Sequence, residues 1–153
     1  MSRVVIPVSQ EQVPEHLRTN RSAFTRWFGR TFYRAIGWNL EGSIADAERV
    51  MVVAAPHTSN WDFVFGISVI LGINARVRWL GKHSIFKFGV TWFFRWLGGI
   101  PVNRAQPDAV MGYVDEAVAK DNGVILVVAP EGTRKKAEKW KSGFLRIAKK
   151  NNC

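Results

Sequence analysis

The chain has 153 residues, 47% of them apolar and 22% charged, which is the size and balance of one ordinary globular domain and excludes wholesale disorder. The single cysteine, Cys153, excludes an internal disulfide and suits a reducing compartment. The longest run free of charged residues, 63–75, is thirteen residues, short of the roughly 18 to 20 that a membrane-spanning helix needs.

The formal net charge of +10 is unevenly placed. Residues 1–40 hold six Arg against Glu11 and Glu15, and residues 131–153 hold eight Lys or Arg against Glu131 and Glu138, while 41–130 carries eight charges of each sign. A neutral body with basic flanks fits an anionic partner, a phospholipid surface or a nucleic acid. The first twenty residues lack the unbroken apolar core of a secretory signal, so export is not indicated.

In chain order, 24–36 (FTRWFGRTFYRAI) comes first. At about 100° per residue, Phe24, Trp27, Phe28, Phe32 and Ala35 share one side and Arg26, Arg30 and Arg34 another. Two readings fit: an interfacial helix with its rings at the headgroup boundary, or a helix packed on the core with a solvated basic face. From residue 49 onward, short β-branched runs alternate with helical patterns, which predicts strand-helix-strand units and a mostly parallel or mixed sheet. The predicted elements are a buried strand 49–55, an apolar helix 61–73, a strand 76–80, an aromatic segment 85–97 that suits core packing better than an interface, a strand 100–102, a helix from Pro107 to about Lys120, a strand 123–129 (GVILVVA) and a basic amphipathic helix 139–150. The expected organisation is an interfacial helix region, 1–40, ahead of one α/β domain, 41–153. A helix after a strand normally returns the chain to another strand, so the ending reads as that of a fragment.

Three strand ends carry the chemistry. In APHTSNWD, Pro56 stops a strand, which puts His57 in the loop at its carboxyl edge, where open α/β sheets place their sites. Thr58, Ser59 and Asn60 are good N-cap residues and put Asp62 in the first helical turn. A loop imidazole can fold back onto that carboxylate, which fixes its tautomer and stabilises the imidazolium formed when it takes a proton from an alcohol. The same spacing also suits a purely structural hydrogen-bonded pair. No further His or Cys lies at ligand spacing, so no metal is expected. In VVAPEGTRKK, Pro130 and Gly132 bend the chain at a strand end, and Thr133 and Arg134 offer donors to a phosphate. In GGIPVNR, Arg104 follows a short extended run and suits a bidentate phosphate contact; Lys82, in GKHS, is a weaker candidate of the same kind.

In this order the segments resemble the PlsC-type 1-acylglycerol-3-phosphate acyltransferase family (lysophosphatidic acid acyltransferases). His57-Thr-Ser-Asn-Trp-Asp62 is similar to its His-x4-Asp block, Gly99-Ile-Pro-Val-Asn-Arg104 to its arginine-ending block and Pro130-Glu-Gly-Thr-Arg134 to its Pro-Glu-Gly-Thr block, over roughly residues 40–150. The resemblance implies a glycerolipid acyltransferase-like mixed sheet flanked by helices. His57 would be the general base on the acceptor hydroxyl, Asp62 its orienting partner, and Arg104 the phosphate holder. Glu131 and Gly132 would shape the acceptor site, and Lys82 would assist.

The implied co-substrate is acyl-CoA or acyl carrier protein, with no cofactor. The implied acceptor is a lysophospholipid, and the implied location is the cytoplasmic face of a phospholipid membrane, held from one side in a peripheral or monotopic manner. No recognised nucleic-acid motif is present, so no nucleic acid is expected as a partner. Asn103 departs from the Asp common before the family's arginine. The chain also stops before the family's fourth block and closing strands, which leaves a catalytically inactive membrane-binding fragment of the same fold as the alternative reading.

Overall fold

A computed structural model describes residues 8–56, 59–103, 106–132 and 139–153, the side chains of Pro107 and Asp108 excepted. Two compact units emerge, one formed by Met1–Asp46 with Ser59–Arg76 and the other by Ala47–Thr58 with Val77–Cys153.

The first unit is built on two helices, α1 (Ala23–Ala35) and α2 (Asn60–Gly72). Ser22 caps α1 by accepting the Thr25 N–H at 3.2 Å. The two helices cross where neither has a bulky side chain. A Cβ on Gly29 would meet Ser68 O at 2.6 Å and Gly72 N at 2.7 Å, so only glycine permits this approach. Beyond α2 the chain turns at Asn74, which takes a left-handed φ of 60°, a region that Asn visits more readily than most non-glycine residues.

Two of the three arginines of α1, Arg26 and Arg30, are half-buried and hydrogen-bonded, while Arg34 is exposed. Arg30 Nε donates to Gly72 O at 2.9 Å and Arg26 Nη1 to Arg21 O at 2.9 Å, while Arg21 Nη1 donates to Ala75 O at 2.8 Å. Arg30 and Arg21 thus answer the carbonyls at and just past the C-terminus of α2, where cations are also favoured by the helix dipole. Burial pushes the Arg21 guanidinium down to about 10, and burial with repulsion from Arg26 and Arg34 lowers Arg30. The consequence is that the aromatic side faces out, with Phe24 71%, Trp27 58% and Phe28 54% exposed. α1 thus packs on α2 at Gly29 and buries Tyr33 while keeping both its exposed rings and one exposed arginine, Arg34, at its surface.

The second unit contains β1 (Arg49–Val53), β2 (Val77–Lys82), α3 (Thr91–Trp96), β3 (Gly99–Val102), α4 (Pro107–Ala119), β4 (Val124–Val128) and α5 (Gly143–Asn151). The strands form one sheet in the order β1-β4-β2-β3, and every pairing is parallel. Parallel strands joined by crossover helices are what the alternation of β-branched and helical runs predicts. β4, paired on both sides, is buried along almost its whole length. β1, an edge strand, is half-buried throughout, which corrects the expectation of a buried one, whereas β3, at the opposite edge, is almost wholly buried. On one sheet face Val114 and Val118 of α4, Val124 and Leu126 of β4 and Ile147 of α5 form a core, with Met51, Leu80 and Met111 against it. α5 starts at Gly143, later than expected, and its last turn is held by Arg49 Nη1 on Asn151 O at 3.1 Å and by Lys150 on Asp115.

The aromatic segment divides between two roles. Phe86 and Phe94 pack on Trp79 of β2 at ring-centroid distances of 5.8 and 6.0 Å, whereas Phe88, Trp92 and Trp96 are exposed. Core packing thus accounts for the inner rings only. No helix among the described residues is long and apolar enough to cross a membrane.

Candidate functional site

Because the four strands run parallel, their carboxyl ends lie along one sheet edge. Register fixes which residues share it: Val53 pairs with Val128 and Lys82 with Val102. The residues just past these ends are therefore neighbours along the edge. They are Ala54 to Pro56 after β1, Lys82 closing β2, Asn103 after β3, and Ala129 to Gly132 after β4. Ala54 N extends the β1–β4 pairing by donating to Val128 O at 2.9 Å. Of the expected site residues, Lys82, Glu131 and Gly132 stand on this edge. Lys82 is exposed.

The segment after β4 is a tight turn. Gly132 N donates to Ala129 O at 3.2 Å, Pro130 occupies the second position, and Gly132 takes a φ of +62°. Proline pre-sets the second turn residue and glycine accepts the left-handed one. Glu131, between them, is 8% exposed. A buried carboxylate inside a strand-end turn is a costly placement, tolerated where neighbouring donors or cations balance it.

Sequence reasoning missed Lys141. Its backbone N–H donates to Pro130 O at 2.9 Å, which ties the approach to α5 onto the turn. Its side chain then runs across Gly132: a Cβ there would lie 3.2 Å from Lys141 Cδ and 3.3 Å from Nζ. An ammonium is thereby held above a backbone that only glycine leaves bare. Nothing in the spacing of Lys141 singles it out among the eight cations of 131–153; only the hydrogen bond to Pro130 does.

Asp62 belongs to the first unit and is the third helical residue of α2. Ser59 is the N-cap, as expected. Its Oγ accepts from Trp61 N at 3.0 Å, and its N–H donates to Asp62 Oδ2 at 2.7 Å, with a looser Ser59 Oγ contact to Oδ1 at 3.5 Å. This reciprocal capping box fixes the carboxylate's rotamer. A carboxylate accepts up to about four hydrogen bonds, so capping and orienting an imidazole are compatible tasks. His57, Arg104, Thr133 and Arg134 lie outside the described residues.

An open groove of about 610 Å³ runs beside β3, lined by Gly99, Ile100, Pro101 and Asn103, by Tyr113 of α4 and by Lys120 just past that helix. Two of its cations are already engaged: Arg78 pairs with Asp121 at 2.8 Å and Lys120 with Glu116 at 2.7 Å. Arg95 and His83 line the same groove.

Comparison with curated proteins and with solved structures gave no match. The family model described as Acyltransferase matches residues 10–153. That span takes in both units, the parallel sheet and every strand-end residue named above, and the chain belongs to the acyltransferase family.

Proposed function

We propose that this acyltransferase moves a fatty acyl group from a thioester donor, acyl-CoA or acyl carrier protein, to the hydroxyl of 1-acyl-sn-glycerol-3-phosphate or a related phosphorylated glycerolipid, as a step of phospholipid synthesis. His57 acts as the base. As the acceptor oxygen attacks the thioester carbonyl, the imidazole takes the hydroxyl proton. When the C–S bond breaks, the imidazolium returns that proton to the leaving thiolate, leaving an ester and a free thiol. Asp62 stabilises the imidazolium between the two steps. The acceptor phosphate is held by Arg104, Thr133 and Arg134, with Lys82 and Lys141 adding charge and the Glu131–Gly132 turn allowing close approach.

The observation that supports this reading best is the Pro130–Gly132 turn. It stands at a parallel-sheet carboxyl edge, has a bare glycine backbone, and lies beneath the Lys141 ammonium. That combination suits a phosphate that must sit near a reacting hydroxyl. The outward-facing rings of α1 support a peripheral position at a membrane surface, where the lysophospholipid acceptor resides; the face proposed is the cytoplasmic one, which the soluble donors reach.

The reading is tested by thiol release from acyl-CoA by the purified chain, with a lysophosphatidic acid and with its dephosphorylated counterpart as acceptors. Release that requires the phosphorylated acceptor is expected. Equal release with both, or none with either, contradicts the proposal.

A further inference from the structure

The segment 86–97 puts its rings to two uses. Phe86 and Phe94 face inward and meet each other at 5.7 Å over Trp79. Gly81 and Gly99 make room beneath them: a Cβ on Gly81 would lie 2.6 Å from the Trp79 ring and 2.7 Å from that of Phe86, and one on Gly99 would lie 2.7 Å from Trp79. These inner rings anchor the segment. The outer rings do the reverse. Phe88 is 107% exposed, Trp92 69%, Trp96 48% and Val90 44%, about a turn whose Gly89 has a φ of +93°. Apolar rings held outward in a cluster are the mark of a surface that something covers.

The charges choose the occupant. Lys87 and Arg95 flank the outer rings, and the segment 85–97 holds no Asp or Glu. A second copy of a chain carrying +10 would meet this segment with no carboxylate of the segment's own to offset the repulsion. Trp and Phe among basic side chains, with no acid, suit an anionic phospholipid surface, where rings settle at the headgroup level and each cation adds attraction.

We propose that residues 87–96 form a second membrane-contact element, separate from α1, that inserts Phe88 and Trp92 into the interface of an anionic bilayer. Because the inner rings fix the segment in advance, docking orders little more chain and loses little entropy. The proposal extends the membrane part of the reading above and does not depend on the acyl-transfer chemistry.

The test is sedimentation of the full chain with phosphatidylcholine vesicles that contain or lack phosphatidylglycerol. The Phe88→Ser/Trp92→Ser double variant is compared with Trp27→Ser/Phe28→Ser in α1. Each interfacial ring contributes about tenfold to partitioning, so the first double variant is expected to lose about a hundredfold on anionic vesicles, with an unchanged melting temperature and unchanged thiol release from a short-chain, water-soluble acyl-CoA. Should that variant fail to fold, Lys87→Glu/Arg95→Glu gives the same answer through loss of selectivity for phosphatidylglycerol. Unchanged partitioning of the ring or charge variants, absence of wild-type binding, or a concentration-dependent dimer that the ring variant abolishes would overturn the proposal. Loss of thiol release with vesicle binding intact would count against the catalytic reading alone.

Discussion

The Lys141 side chain lies over Gly132, with Nζ 3.3 Å from where a methyl group on that glycine would stand. The two residues are nine apart in sequence and are joined through the Lys141 N–H bond to Pro130 O. Gly132→Ala therefore faces two costs, a left-handed backbone worth about 1 to 2 kcal/mol against an L-residue and displacement of the lysine. The expected outcome is a sharp loss of turnover with a modest fall in thermal stability, read by paired kinetics and melting curves.

Lys141→Ala separates charge from shape. Removing one charge-assisted contact to the acceptor phosphate costs about 1.5 to 3 kcal/mol, so KM for the phosphorylated acceptor should rise tenfold or more while the melting temperature stays within about a degree. Lys141→Arg should recover most of the loss. A KM unchanged in Lys141→Ala would remove the lysine from the acceptor site.

The capping box allows Asp62 to be tested in two parts. Ser59→Ala removes the N-cap and should cost about 1 kcal/mol of stability with turnover largely kept. Asp62→Asn keeps an oxygen that can still accept the Ser59 N–H but loses the charge that steadies an imidazolium, so turnover should fall steeply at nearly wild-type stability. Equal effects of the two substitutions on turnover would make Asp62 a capping residue only.

The α1–α2 crossing gives a purely structural prediction. A methyl group on Gly29 would stand 2.6 Å from Ser68 O and 2.7 Å from Gly72 N, both backbone atoms that cannot turn aside. Gly29→Ala should force the helices apart at a cost of about 3 kcal/mol, seen as a melting temperature lower by about 10 °C.

Much of the fold was legible where its signals are local. The β-branched run before Ala129 becomes β4 and Pro107 opens α4 in the second unit, and Ser59 caps α2 with Asp62 at its third position in the first. What was not legible depends on contacts distant in sequence. The strand order β1-β4-β2-β3, which puts β1 at an edge, is a property of pairing and not of the RVMVV run itself. The outward turn of the α1 rings follows from Arg30 reaching Gly72 O, a bond across 42 residues that no helical wheel contains. Lys141 was invisible for the same reason. The strand-end positions of Lys82, Glu131 and Gly132 were foreseen from where each strand stops, since parallel strands bring all such stops to one edge.

The central claim is that an imidazole, and no nucleophile belonging to the protein, activates the acceptor hydroxyl. His57→Ala tests it most directly, with thiol release from acyl-CoA in the presence of a lysophosphatidic acid measured beside vesicle binding of the same preparation. A positioned base contributes about 10²- to 10⁴-fold, so the account predicts turnover reduced by at least a hundredfold with lipid binding intact. Wild-type turnover in His57→Ala would contradict it.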